Sequence, residues 1–382
     1  MIQEFLQTYF NQTEIYLLYV LAFLFLYEVY HYGRFMSGCL RAKKIEPKEQ
    51  PGVSVIVCAK NEEVNLRDYL QVICTQDYPQ YEVIVVNDGS VDGTNDVLNI
   101  YKLNNDNVKL TFVPQETHLT STKKLGIMLG VKAAQYDYIL LTDADCRPAN
   151  NQWIKEMMSH FEPKIDLVLG FSPVFEKSTT LNKLIEYDTL TVGMLYLGLA
   201  KSGKAYMGVG RNMAYRKSKF YEVGGFRNLT HNRAGDDDLI VQKIANNNNV
   251  AICFGKDSTV WTPAKTTWKT WVKQKRRHLS VAPQYTTSSK IRLTVEPIFR
   301  GLFYATVIAT FFLGSVLTSV VAVGLFLLRW FIQTVLINST AKRVKARPFS
   351  SFMILFADIF LPLVNLFLLN TNGNYQKRYT KW

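Results

Sequence analysis

The sequence predicts an α/β domain with a mostly parallel sheet, flanked by transmembrane helices on its N- and C-terminal sides. Between residues 51 and 265, short β-branched apolar runs alternate with stretches of helical periodicity, which is typical of parallel strands joined by crossover helices. On either side of that region, apolar runs reach the roughly 20 residues that a helix needs to cross a bilayer. The chain is therefore expected to carry one α/β domain on a membrane anchor.

The charge of the chain is distributed unevenly along its 382 residues, and its net value is +13. Residues 265–382 contain 17 basic and two acidic residues, whereas residues 1–264 have a net charge of −2. A basic excess beside apolar runs indicates membrane topology, and a near-neutral body offers no basic groove for nucleic acid. The apolar content of 48% also excludes a disordered chain.

Four strands and three helices are predicted in the first half of the α/β domain. Continuous apolar, β-branched runs are typical of strands that are covered on both faces. The predicted strands are Val53–Ala59, Tyr81–Val86, Val108–Val113 and Tyr138–Thr142, and the predicted helices are Val64–Thr75, Thr94–Tyr101 and Lys123–Ala134.

The N-terminal transmembrane helix is predicted at Ile15–Tyr32, an apolar run that Glu28 and His31 interrupt. Basic residues behind a span indicate its cytoplasmic end, so the α/β domain is expected in the cytoplasm. These basic residues are Arg34, Arg41, Lys43, Lys44 and Lys48. The five cysteines have no disulfide-frame or zinc-site spacing, which fits reduced thiols in that compartment.

Two apolar regions follow the α/β domain. Gly301–Ile337 is too long for one span and predicts a hairpin of two helices that turns between Gly314 and Ser319. Phe349–Leu369 contains Asp358, so a full span, a re-entrant segment and an interfacial helix all stay open for it. The predicted organisation is a membrane anchor with a basic linker (1–50), the α/β domain (51–265), interfacial helices (266–300) and a C-terminal transmembrane region (301–382).

Polar residues follow three of the predicted strands, at the sheet edge where parallel α/β sheets bind ligands. They lie at Lys60–Glu63, Asn87–Thr94 and Asp143–Asp145. Turn chemistry explains one such cluster, but three clusters at one edge indicate a functional cleft.

Asp143 and Asp145 are two residues apart, so on an extended segment their carboxylates project to the same side. Hard oxygen ligands of this kind suit Mg²⁺ or Mn²⁺, which in turn binds a diphosphate. The plainer alternative is that Asp143 caps a turn and Asp145 is simply solvated.

Several segments resemble, in order and spacing, the family 2 glycosyltransferases and in particular their membrane-embedded polysaccharide synthases. They are Ala59–Glu63 (AKNEE), Val85–Thr94 (VVNDGSVDGT), Lys123 seven residues before Gly130, and Leu140–Cys146 (LLTDADC). The resemblance covers about residues 51–280 and implies the GT-A fold, a Rossmann-like nucleotide-sugar-binding domain.

The acidic segment Gly235–Leu239 (GDDDL) is the candidate for the general base. Alignment of the family's acidic motif on Asp238 and Leu239 selects Asp236, whereas alignment on the acidic pair selects Asp237. We favour Asp236 as the base and keep Asp237 as the second candidate. Capping of the following helix explains one of the three acids equally well.

Gln274–His278 (QKRRH) resembles the QxxRW motif of membrane polymer synthases, with His278 in place of Trp. Arg277 is expected to pair with the diphosphate and to stabilise the leaving group. An imidazole stacks on a sugar less well than an indole, so this replacement weakens the expectation of a processive enzyme. Membrane-surface anchoring is expected of Trp268, Trp271, Lys273, Lys275 and Arg276.

The resemblance implies roles for the remaining candidates. Asp145 is implied as the direct metal ligand with Asp143 beside it, and Lys123 is implied to lie near the nucleotide, although Thr122 stands where the family usually has Gly. The residues implied to bind the nucleotide-sugar are Ala59, Glu62, Asp88, Lys123, Asp143, Gln274 and His278.

Together these residues predict a metal-dependent inverting glycosyltransferase in cell-surface polysaccharide synthesis. Its donor is expected to be a UDP-sugar, and its acceptor a glycan or a lipid-linked glycan at the cytoplasmic face of the cell (inner) membrane. Two alternatives stay open: a single-sugar transferase onto a polyprenyl-phosphate carrier, and a catalytically silent membrane sensor of nucleotide-sugars.

Overall fold

The computed structural model of the chain describes residues 9–43, 45, 49–114, 122–227 and 235–379, with residues 372–379 described by their backbone alone. Lys44 and Lys48, two of the basic residues behind the N-terminal helix, lie outside these ranges. The first helix, α1 (Gln12–Arg34), contains the predicted N-terminal span. It begins with a capping box, in which the side chains of Asn11 and Glu14 accept hydrogen bonds from each other's backbone N–H groups.

The predicted alternation of strands and helices is confirmed in the first half of the α/β domain. Each observed boundary lies within three residues of its predicted position. The elements are β1 (Val53–Ala59), α2 (Glu63–Cys74), β2 (Tyr81–Asn87), α3 (Thr94–Asn104), β3 (Val108–Phe112), α4 (Thr122–Ala133) and β4 (Tyr138–Asp143).

The second half of the domain has shorter strands, which were not predicted. They have between two and four residues, too few to show an alternating pattern. The elements are β5 (Arg147–Pro148), α5 (Trp153–Met158), β6 (Leu167–Leu169), α6 (Thr180–Lys201), β7 (Met213–Arg216), α7 (Lys217–Glu222), α8 (Asp236–Ile244), β8 (Val250–Ile252), β9 (Val260–Trp261) and α9 (Trp268–Leu279).

The main sheet has seven strands in the order β3-β2-β1-β4-β7-β6-β8. β1 pairs in parallel with β2 and β4, and β3 pairs in parallel with β2. β7 runs antiparallel to both β4 and β6. The first four strands therefore present their carboxyl ends at one edge, where Cys58 near the end of β1 lies opposite Asp143 at the end of β4.

The buried helix α6 connects the α/β domain to the N-terminal helix. The backbones approach so closely there that a Cβ on Gly198 would collide with the carbonyl oxygen of Phe35. A Cβ on Gly38 would likewise come within 2.5 Å of the Cα of Gly198. Glycine at both positions is what allows this contact, which fixes the domain against the end of α1.

The C-terminal region consists of α10 (Thr287–Leu313), α11 (Val316–Arg343) and α12 (Ser351–Tyr379). α10 and α11 form the predicted hairpin, with its turn at Gly314 and Ser315. α10 begins 14 residues before the predicted apolar region and therefore also contains charged residues that the prediction left outside the span. α12 is a single unbroken helix. Within the described residues, α1 and these three helices are long and apolar enough to cross a membrane.

Buried charged side chains join all four of these helices. Arg329 of α11 donates hydrogen bonds to Glu28 of α1 and to Asp358 of α12, both at 3.1 Å. Arg300 and Tyr304 of α10 donate to the same Asp358, each at 2.6 Å. An unpaired charge is costly in lipid, so each of these charges depends on the others. Glu28 and Asp358, which interrupt the predicted apolar runs, therefore form contacts between helices.

Replacement of Arg329 by leucine is expected to destabilise the protein, because Glu28 and Asp358 stay buried without that cation. We expect the free energy of unfolding to fall by about 3–5 kcal/mol, measured from the thermal unfolding of the purified protein in detergent. Arg67→Leu removes an exposed arginine paired with Glu63 on α2 and serves as the control. Equal midpoints for wild type and Arg329→Leu would show that the pairs contribute no stability.

Candidate active site

The structure brings the predicted polar residues together at the carboxyl edge of the sheet. Glu62 lies at the N-terminal end of α2, Asp88 directly follows β2, and Asp143 ends β4. Burial and the nearby carboxylates of Asp145 and Asp143 raise the pKa of Glu62. These groups therefore share one electrostatic environment, as a single cleft requires.

The loops after β1 and β2 are tied to each other by hydrogen bonds. The N–H of Glu62 donates to Thr94 Oγ1 at 2.9 Å, and the N–H of Val91 donates to Asn61 Oδ1 at 2.8 Å. Asn61 has a φ of 56°, a left-handed conformation that asparagine tolerates better than most residues. The two loops are thus fixed as one unit, which positions Glu62 and Asp88.

Asp88 is held by residues on both sides of the sheet edge. Its carboxylate accepts hydrogen bonds from Thr122 Oγ1 at 2.5 Å and from Lys60 Nζ at 3.3 Å. Thr122, which replaces the family's usual Gly, therefore orients a predicted site residue. Ala59 is buried, and its carbonyl accepts the N–H of Asp88 at 2.8 Å. Ala59 thus contributes through its backbone, since its methyl group packs in the core.

Lys123 of α4 lies between two carboxylates from different parts of the chain. Its Nζ is 2.7 Å from Asp143 Oδ1 and 3.6 Å from Asp236 Oδ2. Burial disfavours the charged forms of Lys123 and of Asp143, but the attraction between the opposite charges outweighs this effect. Asp143 and Asp236 raise the pKa of Lys123 well above its ordinary value. In turn, Lys123 holds the pKa of Asp143 below the ordinary value of an aspartate.

Asp143, Asp145 and Cys146 form the group of described residues whose possible metal-ligand atoms lie within 4.8 Å of one another. Burial raises the pKa of the Cys146 thiol well above its ordinary value, and its Sγ donates to Asp145 Oδ1 at 3.2 Å. A protonated thiol is not a metal ligand, whereas the two carboxylates are. Two half-buried carboxylates fit Mg²⁺ or Mn²⁺, whose other ligands are water or phosphate.

The three acids at the start of α8 have different partners. Asp236 faces the ammonium of Lys123, whereas Asp237 accepts hydrogen bonds from the N–H groups of Gly210 and Asp238, both at 3.1 Å. Burial and the Asp236 charge raise the pKa of Asp237, and burial and Asp237 raise that of Asp238 well above its ordinary value. The geometry therefore favours Asp236 as the acid that faces Asp143, a candidate metal ligand, across the ammonium of Lys123.

The predicted QKRRH motif lies in the C-terminal half of α9. Arg277 and His278 are exposed, and Gln274 is half-buried one turn earlier on the same helix. The charge of Arg277 is among those that favour the ionised form of Asp143, so the motif faces the carboxyl edge of the sheet. This placement is compatible with a contact between Arg277 and a bound diphosphate.

Two residues that were predicted to anchor α9 at the membrane surface are instead buried. Trp271 packs in the hydrophobic core, and the ammonium of Lys275 lies 5.5 Å from the centre of its ring. Lys275 forms an ion pair with Asp188 of α6, at 2.8 and 2.9 Å to its two carboxylate oxygens. The prediction is wrong for both residues, because one face of α9 packs against the domain. Trp268 and Lys273 are exposed.

Arg211 lies at the site but was not predicted as a site residue. Its Nε donates to Ser172 Oγ at 2.7 Å and its Nη2 to Ser172 O at 3.4 Å. Its charge also favours the ionised form of Asp143. The segment 210–215 resembles the family's segment at the back of the donor and acceptor pocket, but this motif is weak by itself and gave Arg211 no role of its own.

A mostly parallel α/β sheet with paired aspartates at the end of its central strand, one of which faces a third acid across a lysine, defines a GT-A glycosyltransferase. The model of glycosyl transferase family 21 matches residues 18–371 of the chain. The chain therefore belongs to this family, which confirms the predicted fold and the predicted resemblance to membrane polysaccharide synthases.

Curated relatives match parts of the chain. The poly-β-1,6-N-acetyl-D-glucosamine synthase of Staphylococcus epidermidis is 28% identical over 206 residues, which are 53% of this chain and 46% of that protein. The Bacillus subtilis protein named "Probable glycosyltransferase YdaM" is 30% identical over 237 residues, 60% of this chain and 55% of that protein. The chain thus spans about half the length of the curated relatives it matches.

One solved structure shares the fold over almost the whole chain. The mannosyltransferase PcManGT from Pyrobaculum calidifontis, in complex with GDP-Man and Mn²⁺, has a TM-score of 0.56 and 18% identity. The match covers 92% of this chain and 98% of that chain. At this identity the likeness concerns the fold.

Replacement of Lys123 by methionine leaves Asp143 and Asp236 without their shared cation. At neutral pH we expect the free energy of unfolding to fall by about 1 kcal/mol, a modest value because the ammonium is partly exposed and screened by solvent. Lys123 lowers the pKa of Asp143 below its ordinary value of 3.8. The stabilisation by this ion pair is therefore present above pH 3.8 and is lost as the pH falls through the folded-state pKa of Asp143.

The measurement compares unfolding midpoints of wild type and Lys123→Met from neutral to acidic pH, where the two curves should converge. Lys132→Met changes an exposed lysine on the same helix and should show no such convergence. A gap between wild type and Lys123→Met that does not depend on pH would contradict the ion pair.

Proposed function

We propose that the chain is a membrane-bound inverting glycosyltransferase that transfers a sugar from a UDP-sugar to a glycan or lipid-linked acceptor, in the synthesis of a cell-surface polysaccharide. The arrangement of Asp143, Lys123 and Asp236 carries this proposal, because it joins a metal-binding carboxylate to a candidate base. Membership of glycosyl transferase family 21 and a relative named as a polysaccharide synthase support the same reaction class.

In the proposed reaction, an acceptor hydroxyl attacks the anomeric carbon while the bond from that carbon to the diphosphate oxygen breaks. Asp236 accepts the hydroxyl proton, and attack opposite the leaving group inverts the configuration. Asp237 is the second candidate, but backbone N–H groups already occupy its carboxylate. Arg277 stabilises the charge that develops on the leaving UDP.

We further propose that Asp143 and Asp145 hold Mg²⁺ or Mn²⁺. The chemistry that such an ion supplies is charge neutralisation between the carboxylates and the diphosphate, which otherwise repel each other. Lys123 keeps Asp143 ionised at neutral pH, so this carboxylate is available as a ligand. Glu62, Asp88, Gln274 and His278 are assigned to the nucleotide-sugar around it.

We propose that the enzyme lies in the cell (inner) membrane with its α/β domain on the cytoplasmic side. The four apolar helices and the basic residues at the end of α1 support this proposal. Transfer of a single sugar to a polyprenyl-phosphate carrier is the second candidate function. His278 favours it, because an imidazole offers a smaller stacking face than the Trp of polymer synthases.

A panel of radiolabelled UDP-sugars, incubated with membranes containing the full chain, tests the proposed function. Sizing the products distinguishes polymer synthesis from transfer of one sugar to a lipid carrier. Binding of UDP without transfer or hydrolysis would indicate a silent sensor instead. Absence of transfer from every UDP-sugar would contradict the proposal.

Asp236→Asn is expected to lower kcat by about 10²–10⁴-fold, because it removes the general base and preserves the shape of the side chain. The KM for the donor should stay close to that of wild type, since the base acts on the acceptor. Asp237→Asn should have a smaller effect. Asp68→Asn, which changes an exposed aspartate on α2, is the control. Undiminished turnover in Asp236→Asn would contradict its assignment.

Asp145→Ala is expected to weaken Mn²⁺ binding by at least about tenfold, which is the lower end of the loss seen for outer-shell partners of metal sites. Electron paramagnetic resonance of free and bound Mn²⁺ measures this without turnover. Asp68→Ala should bind like wild type. Equal Mn²⁺ binding by Asp145→Ala and wild type would show that the metal site lies elsewhere.

A further inference from the structure

The segment between α9 and the membrane helix α10 contacts the acidic end of α8. In this membrane-proximal linker (residues 280–286), the hydroxyl of Tyr285 donates to Asp238 Oδ2 at 2.5 Å. The N–H of Thr286 donates to Gln242 Oε1, one turn further along α8, at 3.2 Å. The linker thus holds α8 at two points along its length.

The orientation of Tyr285 is fixed from both directions. The buried ring of Tyr206 packs against it at an angle of 72°, with ring centres 5.7 Å apart. The next residue, Thr286, caps α10, because its Oγ1 accepts the N–H of Ser289 at 3.3 Å. Tyr285 therefore lies one residue before the N-cap of a membrane helix, while its hydroxyl reaches into the catalytic domain.

A chain of contacts leads from Tyr285 to the proposed base. The N–H of Asp238 donates to Asp237 Oδ1, and Asp237 Oδ2 accepts the N–H of Gly210, both at 3.1 Å. Successive residues of a helix point about 100° apart, so two held acids fix where the third points. With Asp237 and Asp238 so held, Asp236 is the acid that faces Lys123.

Asp238 needs its tyrosine partner for a physical reason. It is 7% exposed, and a buried carboxylate without a hydrogen-bond partner is unfavourable. Without the hydroxyl, Asp238 keeps the backbone hydrogen bond from Gly208 but loses its partner on the linker, so its side chain is expected to reorient. This change disturbs the first turn of α8, where Asp236 lies.

We propose that Tyr285 is a positioning residue, whose hydrogen bond to Asp238 fixes the first turn of α8 and thereby directs Asp236 toward Lys123 and the donor site. Its kinetic consequence rests on the proposed function. The membrane-proximal linker then contributes to catalysis as well as to attachment, because it places the base relative to the membrane helix.

The kinetic test uses the full chain in nanodiscs and the variant Tyr285→Phe, which removes the hydroxyl and keeps the ring. We expect kcat to fall about tenfold with the donor KM unchanged, because a misdirected base affects the transition state and not donor binding. Asp238→Ala should cause a similar fall. The double variant should be no slower than the slower single variant, since both remove one hydrogen bond.

Tyr221→Phe removes the hydroxyl of an exposed tyrosine on α7 and should behave like wild type. A wild-type kcat in Tyr285→Phe overturns the proposal. So does a double variant whose loss is the product of the two single losses, because the residues then act independently. A purely structural role would lower the unfolding midpoint and leave kcat per folded molecule unchanged, which also overturns it.

Hydrogen exchange of α8 gives a second test that needs no turnover. Tyr285→Phe should speed exchange of the Asp238 and Leu239 amides relative to wild type and to Tyr221→Phe. Unchanged exchange overturns the proposed positioning even if transfer is observed. Absence of transfer by wild type refutes the proposed function alone, and the exchange result then decides the role of Tyr285.

Discussion

The ammonium of Lys123 is the charge on which the arrangement of the catalytic edge depends. It lies between Asp143 at the end of the central strand β4 and Asp236 at the start of α8, two carboxylates that would repel each other without it. A site that binds a metal and a diphosphate needs acids for the metal, and each added acid repels the others and the substrate. Lys123 resolves this conflict with one side chain, and backbone N–H groups do the same for Asp237.

The membrane helices also pair their buried charges with opposite charges, and an unpaired charge is more costly in lipid than at the sheet edge. Arg329 pairs with carboxylates of α1 and α12, and Arg300 pairs with Asp358 of α12 as well as with Glu296 of its own helix, so that the buried charges are shared between the helices. The α/β domain is joined to the end of α1 by the close contact of Gly198 with Phe35, and to α9 by the ion pair of Asp188 with Lys275. The proposed base, the linker and the membrane helices are therefore parts of one mechanically connected unit.

The sequence was sufficient to predict the features that short, local patterns encode. β-Branched runs and turn residues identified β1–β4, and their shared edge brought Asp88 and Asp143 together as expected. The partners could not be predicted in the same way. Lys275 resembles any basic residue near a membrane, and nothing beside it indicates that Asp188, 87 residues away, faces it. Asp238 likewise gave no sign of Tyr285, because tertiary packing and not periodicity brings them together.

The pairing of Glu28 with Arg329 also has a consequence for the order in which the protein is made, since 301 residues separate the two. At about 5–20 residues per second, the ribosome adds Arg329 about 15–60 s after it has added Glu28. During that interval the first helix meets the bilayer without its counter-charge, and an unpaired charge is costly there. The catalytic domain is translated within the same interval. Biogenesis therefore ends with the arrival of the last helices, in which Arg329 pairs with Glu28 and locks a helix that was inserted first.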